Sequence, residues 1–174
     1  MTNEINYEKL LPCQIPHLNL SCFGCCGRNF KSKHLILKQL NNNTNEFNSI
    51  IIKSTLRLLQ FRDRLSEIPF AVTESGLCSN IIKFKNGIIA CPLHPKINEI
   101  IPNKEFNYPN KKLDLRINHC DVNYECETFK VWLKMTIKER KKLIKYIEKQ
   151  KFDNYNYSIQ NGDDLLIKNF LNLQ

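Results

Sequence analysis

The spacing of apolar and polar residues in the first half of the chain predicts two helices separated by a polar loop. From Glu46 to Leu65, apolar residues recur at close to helical spacing, which is typical of an amphipathic helix that ends before Pro69. A shorter helix is predicted over Lys33–Leu40. Between the two, the run Asn41–Asn45 is polar and is expected to form a loop that caps the segment after it.

A β-hairpin is predicted in the middle of the chain. Two apolar segments flank Asn86-Gly87, a dipeptide that favours a two-residue type I′ turn. We expect a register in which Ile82 faces Cys91, so that Cys78 lies just beyond the same open end of the hairpin. Backbone pairing would then bring these two cysteines toward one another. The predicted strands are Asn80–Lys85 and Ile88–Ala90.

The C-terminal part of the chain is predicted to be helical. Thr136 and Glu139 have the spacing of a capping box, and the helix they begin is expected to run to about Gln150. The carboxylates after Gly162 are expected to begin a last short helix, Leu165–Leu173, because negative charge is favourable at a helix N-terminus. In the helix that begins after Thr136, lysines recur on the face opposite to the apolar one, at Lys138, Lys142, Lys145 and Lys149.

These elements together predict an α+β fold, a small and mainly helical single domain with a short β-hairpin and a cysteine-lined metal site. Residues 95–118, which contain three prolines, are expected to form an irregular connector. We expect residues 1–128 to form a cysteine-cluster metal-binding domain and residues 129–174 to form a basic helical segment packed on it.

The composition is that of an ordinary globular protein, with 42% hydrophobic and 25% charged residues in a chain of 174. The longest apolar runs are a few residues long, so no membrane-spanning helix and no membrane partner are expected. The first residues show neither a basic start nor an apolar stretch, and we therefore expect no secretory signal and a cytoplasmic, reduced protein.

The formal charge of +9 is only weak evidence for an anionic partner. Asn, Ile and Lys make up 62 of the 174 residues, and their AT-rich codons explain part of the lysine excess. Residues 129–151 contain nine basic and two acidic residues, and so account for most of the charge. A solvated lysine face explains this concentration, and a surface for nucleic acid or an acidic protein is the alternative.

The cysteines supply the candidate chemistry. An even number would suit disulfides in an oxidising compartment, but clustered cysteines in a reduced protein are more often metal ligands or redox groups. Inert buried thiols are the remaining alternative. The spacing of Cys22 and Cys25 allows two thiolates to reach one ion, whereas the adjacent side chains of Cys25 and Cys26 point apart and are not expected to share one. The eight cysteines are Cys13, Cys22, Cys25, Cys26, Cys78, Cys91, Cys120 and Cys126.

Two histidines adjoin cysteines. His94 follows Cys91 by three residues and lies between two prolines, so it is a candidate ligand or, alternatively, a residue that caps the backbone. His119 directly precedes Cys120, and it is a candidate ligand or a residue that orients a ligand through a hydrogen bond.

Four cysteine-containing segments follow one another in a distinctive order, namely Cys22-x-x-Cys25-Cys26, Gly76-Leu77-Cys78 leading into the hairpin, Cys91-Pro92-Leu93-His94-Pro95, and the pair Cys120 and Cys126. Over about residues 13–126, this order resembles the YkgJ-type cysteine-cluster family, whose members are described as zinc- or iron-chelating and sometimes as iron–sulfur proteins. The chain departs from the family pattern at Phe23-Gly24 and at Pro95. The resemblance implies a bound metal or cluster and no particular reaction.

Four thiolates suit either zinc or an iron–sulfur cluster. Zinc fingers usually bring two tight C-x-x-C knuckles and this chain has one, so we favour iron over zinc. The best single set takes one ligand from each locus, which means Cys22 or Cys25, Cys78, Cys91, and Cys120 or Cys126. The predicted ligand pool is Cys22, Cys25, Cys26, Cys78, Cys91, Cys120 and Cys126. Cys13 is unassigned, although with it the eight cysteines could in principle build two four-ligand sites.

The sequence therefore predicts a metal-binding protein that holds iron, with an iron–sulfur cluster as one form, or zinc. Its role would lie in metal handling, electron transfer or the support of a partner enzyme. The alternative is a zinc-stabilised module that binds nucleic acid or protein through the lysine-rich helix at 136–150. The chain has no P-loop, dinucleotide-binding or H-E-x-x-H motif, so no catalytic residue is assigned.

Overall fold

A computed structural model describes residues 5–52, 54–65, 67, 72–97 and 113–173. By its internal contacts the chain divides into unit 1, Met1–Cys25 with Glu125–Gln174, and unit 2, Cys26–Tyr124. The described residues form six α-helices and two short antiparallel hairpins, which confirms the predicted α+β class. In this part of the chain, no helix is long and apolar enough to cross a membrane.

Unit 1 combines one hairpin with four helices. Strands β1 (Gln14–Ile15) and β2 (Leu20–Ser21) pair in an antiparallel register in which Gln14 faces Ser21, and a 3-10 turn joins them. The helices are α3 (Glu127–Lys134), α4 (Ile137–Gln150), α5 (Asn154–Gly162) and α6 (Leu165–Leu171).

The core of unit 1 connects its hairpin to its helices. Trp132 of α3 and Tyr157 of α5 are fully buried, and they share one hydrophobic cluster with Ile15 of β1 and Leu20 of β2. Burial of side chains of this size stabilises the fold by about 1.5–3 kcal/mol each. Because the cluster includes residues from both ends of the chain, it holds the N-terminal hairpin against the C-terminal helices.

Local signals located the helices of unit 1 that the sequence predicted. The capping box is present, since the Thr136 hydroxyl accepts from the Glu139 amide at 3.3 Å and the Glu139 carboxylate accepts from the Thr136 amide at 2.7 Å. The helix it begins ends at Gln150, as predicted. The last helix is also confirmed, although it ends at Leu171 rather than at Leu173.

Unit 2 consists of two helices and a second hairpin. The helices α1 (Lys33–Ser49) and α2 (Thr55–Asp63) are capped at their N-termini by the Ser32 and Ser54 hydroxyls. Strands β3 (Ile82–Lys83) and β4 (Ile89–Ala90) form the hairpin, and α1 packs against β3. Its core is built around three edge-to-face aromatic rings, those of Phe47, Phe61 and Phe84.

The predicted polar loop at Asn41–Asn45 is wrong, because α1 continues through it. Asn43 is fully buried, and its amide group donates to the backbone carbonyls of Cys78 at 3.2 Å and Ile81 at 2.9 Å. The polar side chain therefore completes the hydrogen bonding of the segment against which the helix packs. This tertiary contact outweighs the weak helix propensity of asparagine.

The single helix predicted over Glu46–Leu65 is two helices. The chain leaves helical geometry after Ser49, and Ser54 caps the start of α2. Ile51 lies in the break with 96% of its surface exposed. The apolar spacing across the break was therefore not the spacing of one continuous buried face.

The predicted hairpin is confirmed, but its predicted register is wrong by one residue. Ile82 pairs with Ala90, next to its expected partner Cys91. The loop contains three residues rather than two, since the Gly87 amide donates to the Phe84 carbonyl at 2.9 Å and Gly87 has a φ of 86°. A three-residue loop that ends in a left-handed glycine is a common hairpin connection, and its extra residue shifts the pairing.

Two other predictions remain untested. Most of the irregular connector predicted at residues 95–118 lies outside the described residues, which omit positions 98–112. The division into residues 1–128 and 129–174 stays a prediction.

Replacement of Asn43 by alanine is expected to lower the free energy of unfolding by about 1–3 kcal/mol, because the buried Ile81 carbonyl and the partly buried Cys78 carbonyl lose their donor. Urea unfolding of the purified protein measures the change. The matched control is Asn42→Ala, which changes an exposed asparagine of the same helix and is expected to alter stability by no more than about 0.5 kcal/mol. Equal effects of the two substitutions would contradict a structural role for Asn43.

Candidate metal centre

The eight cysteines carry free thiols and divide evenly between the two units. Cys25 and Cys120 are exposed, and the other six are partly buried. We call the cysteines of unit 2 the unit 2 thiol group, which comprises Cys26, Cys78, Cys91 and Cys120. We call those of unit 1 the unit 1 thiol group, which comprises Cys13, Cys22, Cys25 and Cys126.

Backbone pairing places Cys26 opposite Cys78 in unit 2. Gly27 forms an antiparallel bridge with Leu77, and the Cys78 amide donates to the Cys26 carbonyl at 2.8 Å. Residues directly opposite in an antiparallel pair have Cβ atoms about 4.5–5.5 Å apart on the same face. The two thiols therefore start from neighbouring positions, although 52 residues separate them in the sequence.

Backbone amides approach the sulfurs of unit 2. The Asn80 amide donates to Cys78 Sγ at 3.4 Å. The Leu93 amide hydrogen-bonds to Cys91 and opposes the rise of its pKa. In both cases the amide belongs to the second residue after the cysteine. Both amides stabilise negative charge on sulfur. Such N–H groups suit a thiolate, the form of cysteine that binds metals.

Two other members of the unit 2 thiol group, Cys78 and Cys120, lie within electrostatic range of Cys91. Burial is the main reason that the pKa of Cys91 is raised, and negative charge on Cys78 and Cys120 raises it further. Arg116, whose guanidinium is held by Asp114 at 2.7 Å, acts in the opposite direction and lowers the pKa of Cys91. Three of the four thiols thus influence one another beside a fixed positive charge.

Each of the two candidate histidine ligands has one ring nitrogen engaged elsewhere. Nδ1 of His94 accepts a hydrogen bond from the Lys96 amide at 3.1 Å, so in the neutral ring the proton lies on Nε2. Burial, followed by the positive charge of Arg116, lowers the pKa of His94 to about 4, and the ring is therefore neutral at pH 7. Nε2 of His119 lies 2.7 Å from Asp63, which leaves only Nδ1 without that contact.

In unit 1, a hairpin brings Cys13 next to Cys22. The register that pairs Gln14 with Ser21 places Cys13 opposite Cys22, and the Cys22 amide donates to the Cys13 carbonyl at 2.8 Å. The sequence left Cys13 unassigned because its position relative to Cys22 depends on this pairing. The two sulfurs therefore begin on one face of the hairpin.

The turn after Cys22 directs an amide to its sulfur. The Gly24 amide donates to Cys22 Sγ at 3.4 Å within the Cys22-x-x-Cys25 segment. The backbone of this turn lies against α5, where the Ser158 hydroxyl accepts from the Phe23 amide at 2.9 Å. The position of the turn is thus fixed by contacts within unit 1.

Cys126 occupies the residue before α3, where helix amides face it. Burial raises the pKa of Cys126, and the amides of Phe129 and Thr128 act in the opposite direction, although the Cys126 side chain makes no hydrogen bond that caps the helix. A helix N-terminus carries partial positive charge and favours a thiolate.

Electrostatic interactions link all four thiols of unit 1. Burial raises the pKa of Cys22 well above its usual range, and charge on Cys13, Cys25 and Cys126 raises it further. The pKa of Cys13 is likewise raised, first by burial and then by Cys25 and Cys126. Each of the two thiols therefore responds to the charges of the same neighbouring sulfurs.

The side chains of both groups would have to turn before they bound one ion. Across the described residues, which include every cysteine, no three His, Cys, Asp or Glu side chains are arranged so that they could hold a metal as they stand. The backbone brings Cys13 next to Cys22 and Cys26 next to Cys78, and rotation about χ1 of a cysteine moves its sulfur between staggered positions.

The donor sets fit a thiophilic metal. Four thiols per group match the four-cysteine ligation of zinc and of iron–sulfur clusters, and amides directed at sulfur compensate thiolate charge. The four-ligand set that the sequence analysis favours is divided between the units, since Cys22 and Cys25 belong to unit 1 whereas Cys78 and Cys91 belong to unit 2. Cys26 is the member of the first locus that pairs with Cys78.

The lysine-rich face predicted on α4 is exposed at all four positions, Lys138, Lys142, Lys145 and Lys149. Exposure is what a solvated helix face requires, and it does not favour nucleic acid over water.

Comparison of the chain with protein-family models, with curated proteins and with solved structures finds no match. The resemblance to the YkgJ-type cysteine-cluster family therefore rests on the order and spacing of the cysteine segments alone. The fold and the two thiol groups define the chain only as an α+β protein with cysteines gathered in two units.

Proposed function

We propose that this protein binds iron, as an ion or an iron–sulfur cluster, or zinc through the thiolates of the unit 2 thiol group. The observation that carries the proposal is the gathering of cysteines from four separate segments of one unit. Cys26 pairs with Cys78 through the backbone, and Cys78 and Cys120 act electrostatically on Cys91. These are soft ligands that iron and zinc accept and that magnesium and calcium do not.

The surroundings of the group support a site for a metal over a group of inert buried thiols. A four-thiolate centre with zinc or a [4Fe–4S]²⁺ cluster carries a net charge of about −2, since four negative charges meet two positive ones. In unit 2, Arg116 offsets part of this charge, and the Asn80 and Leu93 amides act on two of the sulfurs. Bound metal would draw the thiols together and release their protons.

The role that best fits such a site is metal handling, electron transfer or the support of a partner enzyme. We favour iron over zinc because the ligands come from scattered segments rather than from two short knuckles. An exposed ligand, Cys120, leaves one side of the centre open to solvent or to a partner.

The test is metal analysis of protein purified without oxygen. We expect iron with acid-labile sulfide and visible absorption, or else zinc without colour, and we expect Cys78→Ser/Cys91→Ser to remove the metal of unit 2. The matched control is His94→Asn, which changes a neighbouring imidazole whose Nδ1 is already engaged and is expected to leave the metal content unchanged.

Two results would contradict the proposal. One is wild-type protein that contains no metal after anaerobic purification and takes up neither zinc nor iron with sulfide. The other is metal content that the double serine variant retains in full. Loss of metal in His94→Asn would instead show that the His94 imidazole is a ligand in place of one of the four thiols.

A further inference from the structure

We propose that unit 1 holds a second, independent metal centre, a zinc ion or an iron–sulfur cluster bound by Cys13, Cys22, Cys25 and Cys126. The inference shares its ligand chemistry with the proposed function, but it concerns different residues in a different unit. It gives Cys13 a role that the sequence did not assign. It also assigns the adjacent residues Cys25 and Cys26 to separate centres.

The first two ligands are positioned by a hairpin. Cys13 and Cys22 occupy opposite positions at the open end of β1 and β2, and the hydrogen bond from the Cys22 amide to the Cys13 carbonyl extends the ladder to this pair. Their side chains lie on one face, close enough for two sulfurs to share an ion. Because β1 and β2 are buried strands, this geometry is fixed by the core of unit 1.

One face of α5 holds the segments on either side of this cysteine pair. Tyr157 donates from its phenol to the Pro12 carbonyl at 2.5 Å, the Asn154 side chain accepts from the Ser21 amide at 2.8 Å, and Ser158 accepts from the Phe23 amide. Residues three and four apart share a helix face, so one surface of α5 makes all three contacts. Pro12 adjoins Cys13, whereas Ser21 and Phe23 adjoin Cys22.

The third and fourth ligands come from a turn and from a helix start. Cys25 follows Cys22 at the spacing that allows two thiolates to reach one ion, with the Gly24 amide directed to Cys22 Sγ. Cys126 stands before α3, a helix of eight residues whose core residue Trp132 packs in the same cluster as Ile15 of the hairpin. The helix therefore has a fixed position relative to the Cys13–Cys22 pair.

The four thiols lie within electrostatic range of one another, which agrees with the positions set by the hairpin, the turn and the helix start. Cys22 responds to charge on Cys13, Cys25 and Cys126, and Cys126 responds to Cys25. The phenol of Tyr157 responds to three of them, Cys22, Cys13 and Cys126, and lies buried beside the group. Three partly buried thiols and one exposed thiol, with amides directed at two of them, have the chemistry of a four-thiolate metal centre once their side chains turn toward one ion.

The test counts the metal centres in two ways, by titration with Co²⁺ and by analysis of the metal that the protein holds after purification. Metal-free wild-type protein, kept reduced, is titrated with Co²⁺, and thiolate-to-metal absorption reports each filled site. We expect two equivalents for the wild type, one for Cys13→Ser/Cys126→Ser, one for Cys78→Ser/Cys91→Ser, and none for the combined variant. Protein purified anaerobically should lose about half of its iron or zinc in each double variant, and acid-labile sulfide distinguishes a cluster from zinc.

Each outcome separates this inference from the proposed function. One equivalent that is lost in Cys78→Ser/Cys91→Ser and retained in Cys13→Ser/Cys126→Ser overturns the second centre alone. One equivalent that is lost in Cys13→Ser/Cys126→Ser and retained in Cys78→Ser/Cys91→Ser overturns the unit 2 site and supports the unit 1 site. No binding in the wild type overturns both. Far-ultraviolet circular dichroism of the metal-free variants identifies a variant that fails to fold, and Cys25→Ser then replaces the unit 1 double variant in the count.

Discussion

Removal of the metal proposed for one centre is expected to lower the midpoint of thermal unfolding by about 8–16 °C. A ligand present at about 1,000 times its dissociation constant stabilises the folded state by about 4 kcal/mol, and each kcal/mol moves the midpoint of a chain of this size by about 2–4 °C. The physical reason is that the metal would connect segments far apart in the sequence, such as Cys26 with Cys120, or Cys13 with Cys126. Tight binding of metal to the folded chain would therefore oppose separation of these segments.

The metal-free protein is nevertheless expected to unfold cooperatively. Each unit has its own hydrophobic cluster, one around Phe47 and Phe61 and the other around Trp132 and Tyr157, and most members of both are not cysteines. This differs from a zinc finger, which is unfolded without its metal because it has too small a core. Burial also raises the pKa of Cys13 and Cys91, so the free thiols stay neutral inside the metal-free fold at pH 7.

Scanning calorimetry of anaerobically purified protein, before and after dialysis against a chelator with a reductant, measures the shift. The matched control combines Cys13→Ser, Cys126→Ser, Cys78→Ser and Cys91→Ser, and its midpoint should not respond to the chelator. An unchanged midpoint in metal-loaded wild type would contradict metal stabilisation. Loss of the cooperative transition on chelation would show instead that the two hydrophobic clusters do not suffice to fold the chain.

The parts of the fold that the sequence predicted correctly are those fixed by neighbouring residues. The helix that begins after Thr136 has its start signal within four residues, and the hairpin around Gly87 has its turn signal within the loop. The Asn41–Asn45 segment was mispredicted because its conformation depends on partners 35 and 38 residues away from Asn43. Local composition contains no trace of those contacts.

For the candidate site too, the sequence predicts what depends on neighbouring residues and does not predict what depends on contacts between distant segments. Spacing alone identified the cysteine loci, and the alternation of side chains along an extended segment indicated that Cys25 and Cys26 diverge. The partners of each cysteine depend on long-range pairing, such as the bridge between Gly27 and Leu77 that brings Cys26 to Cys78. Cys13 was unassigned for this reason, since it has no neighbouring cysteine until the hairpin forms.

Replacement of Gly24 by alanine is expected to lower the free energy of unfolding by about 3 kcal/mol, at the upper end of the cost of overfilling a packed site. A Cβ at this position would lie 2.9 Å from the Gly162 amide nitrogen and closer still to the Ser158 carbonyl oxygen. Both are backbone atoms, which cannot move aside as the end of a flexible side chain can. The turn must therefore withdraw from α5, and with it the amide that donates to Cys22 Sγ.

The reciprocal substitution provides the control, because the two glycines face one another across the same contact. A Cβ on Gly162 would lie 3.5 Å from the Gly24 carbonyl oxygen, which is an ordinary van der Waals distance. Gly162 is the last residue of α5, and alanine is a better helix former than glycine by up to about 1 kcal/mol, so Gly162→Ala is expected to be neutral or slightly stabilising. Urea unfolding of both variants measures these effects.

Metal content then tests whether the turn at Gly24 serves the unit 1 centre as well as the fold. Because Gly24→Ala displaces the segment between Cys22 and Cys25, we expect it to remove the metal of unit 1 and to spare that of unit 2, whose ligands lie in a different unit. Gly162→Ala should retain both. Equal stability of the two glycine variants would show that α5 does not hold the turn, and full metal content in a destabilised Gly24→Ala would show that Cys22 and Cys25 bind no metal together.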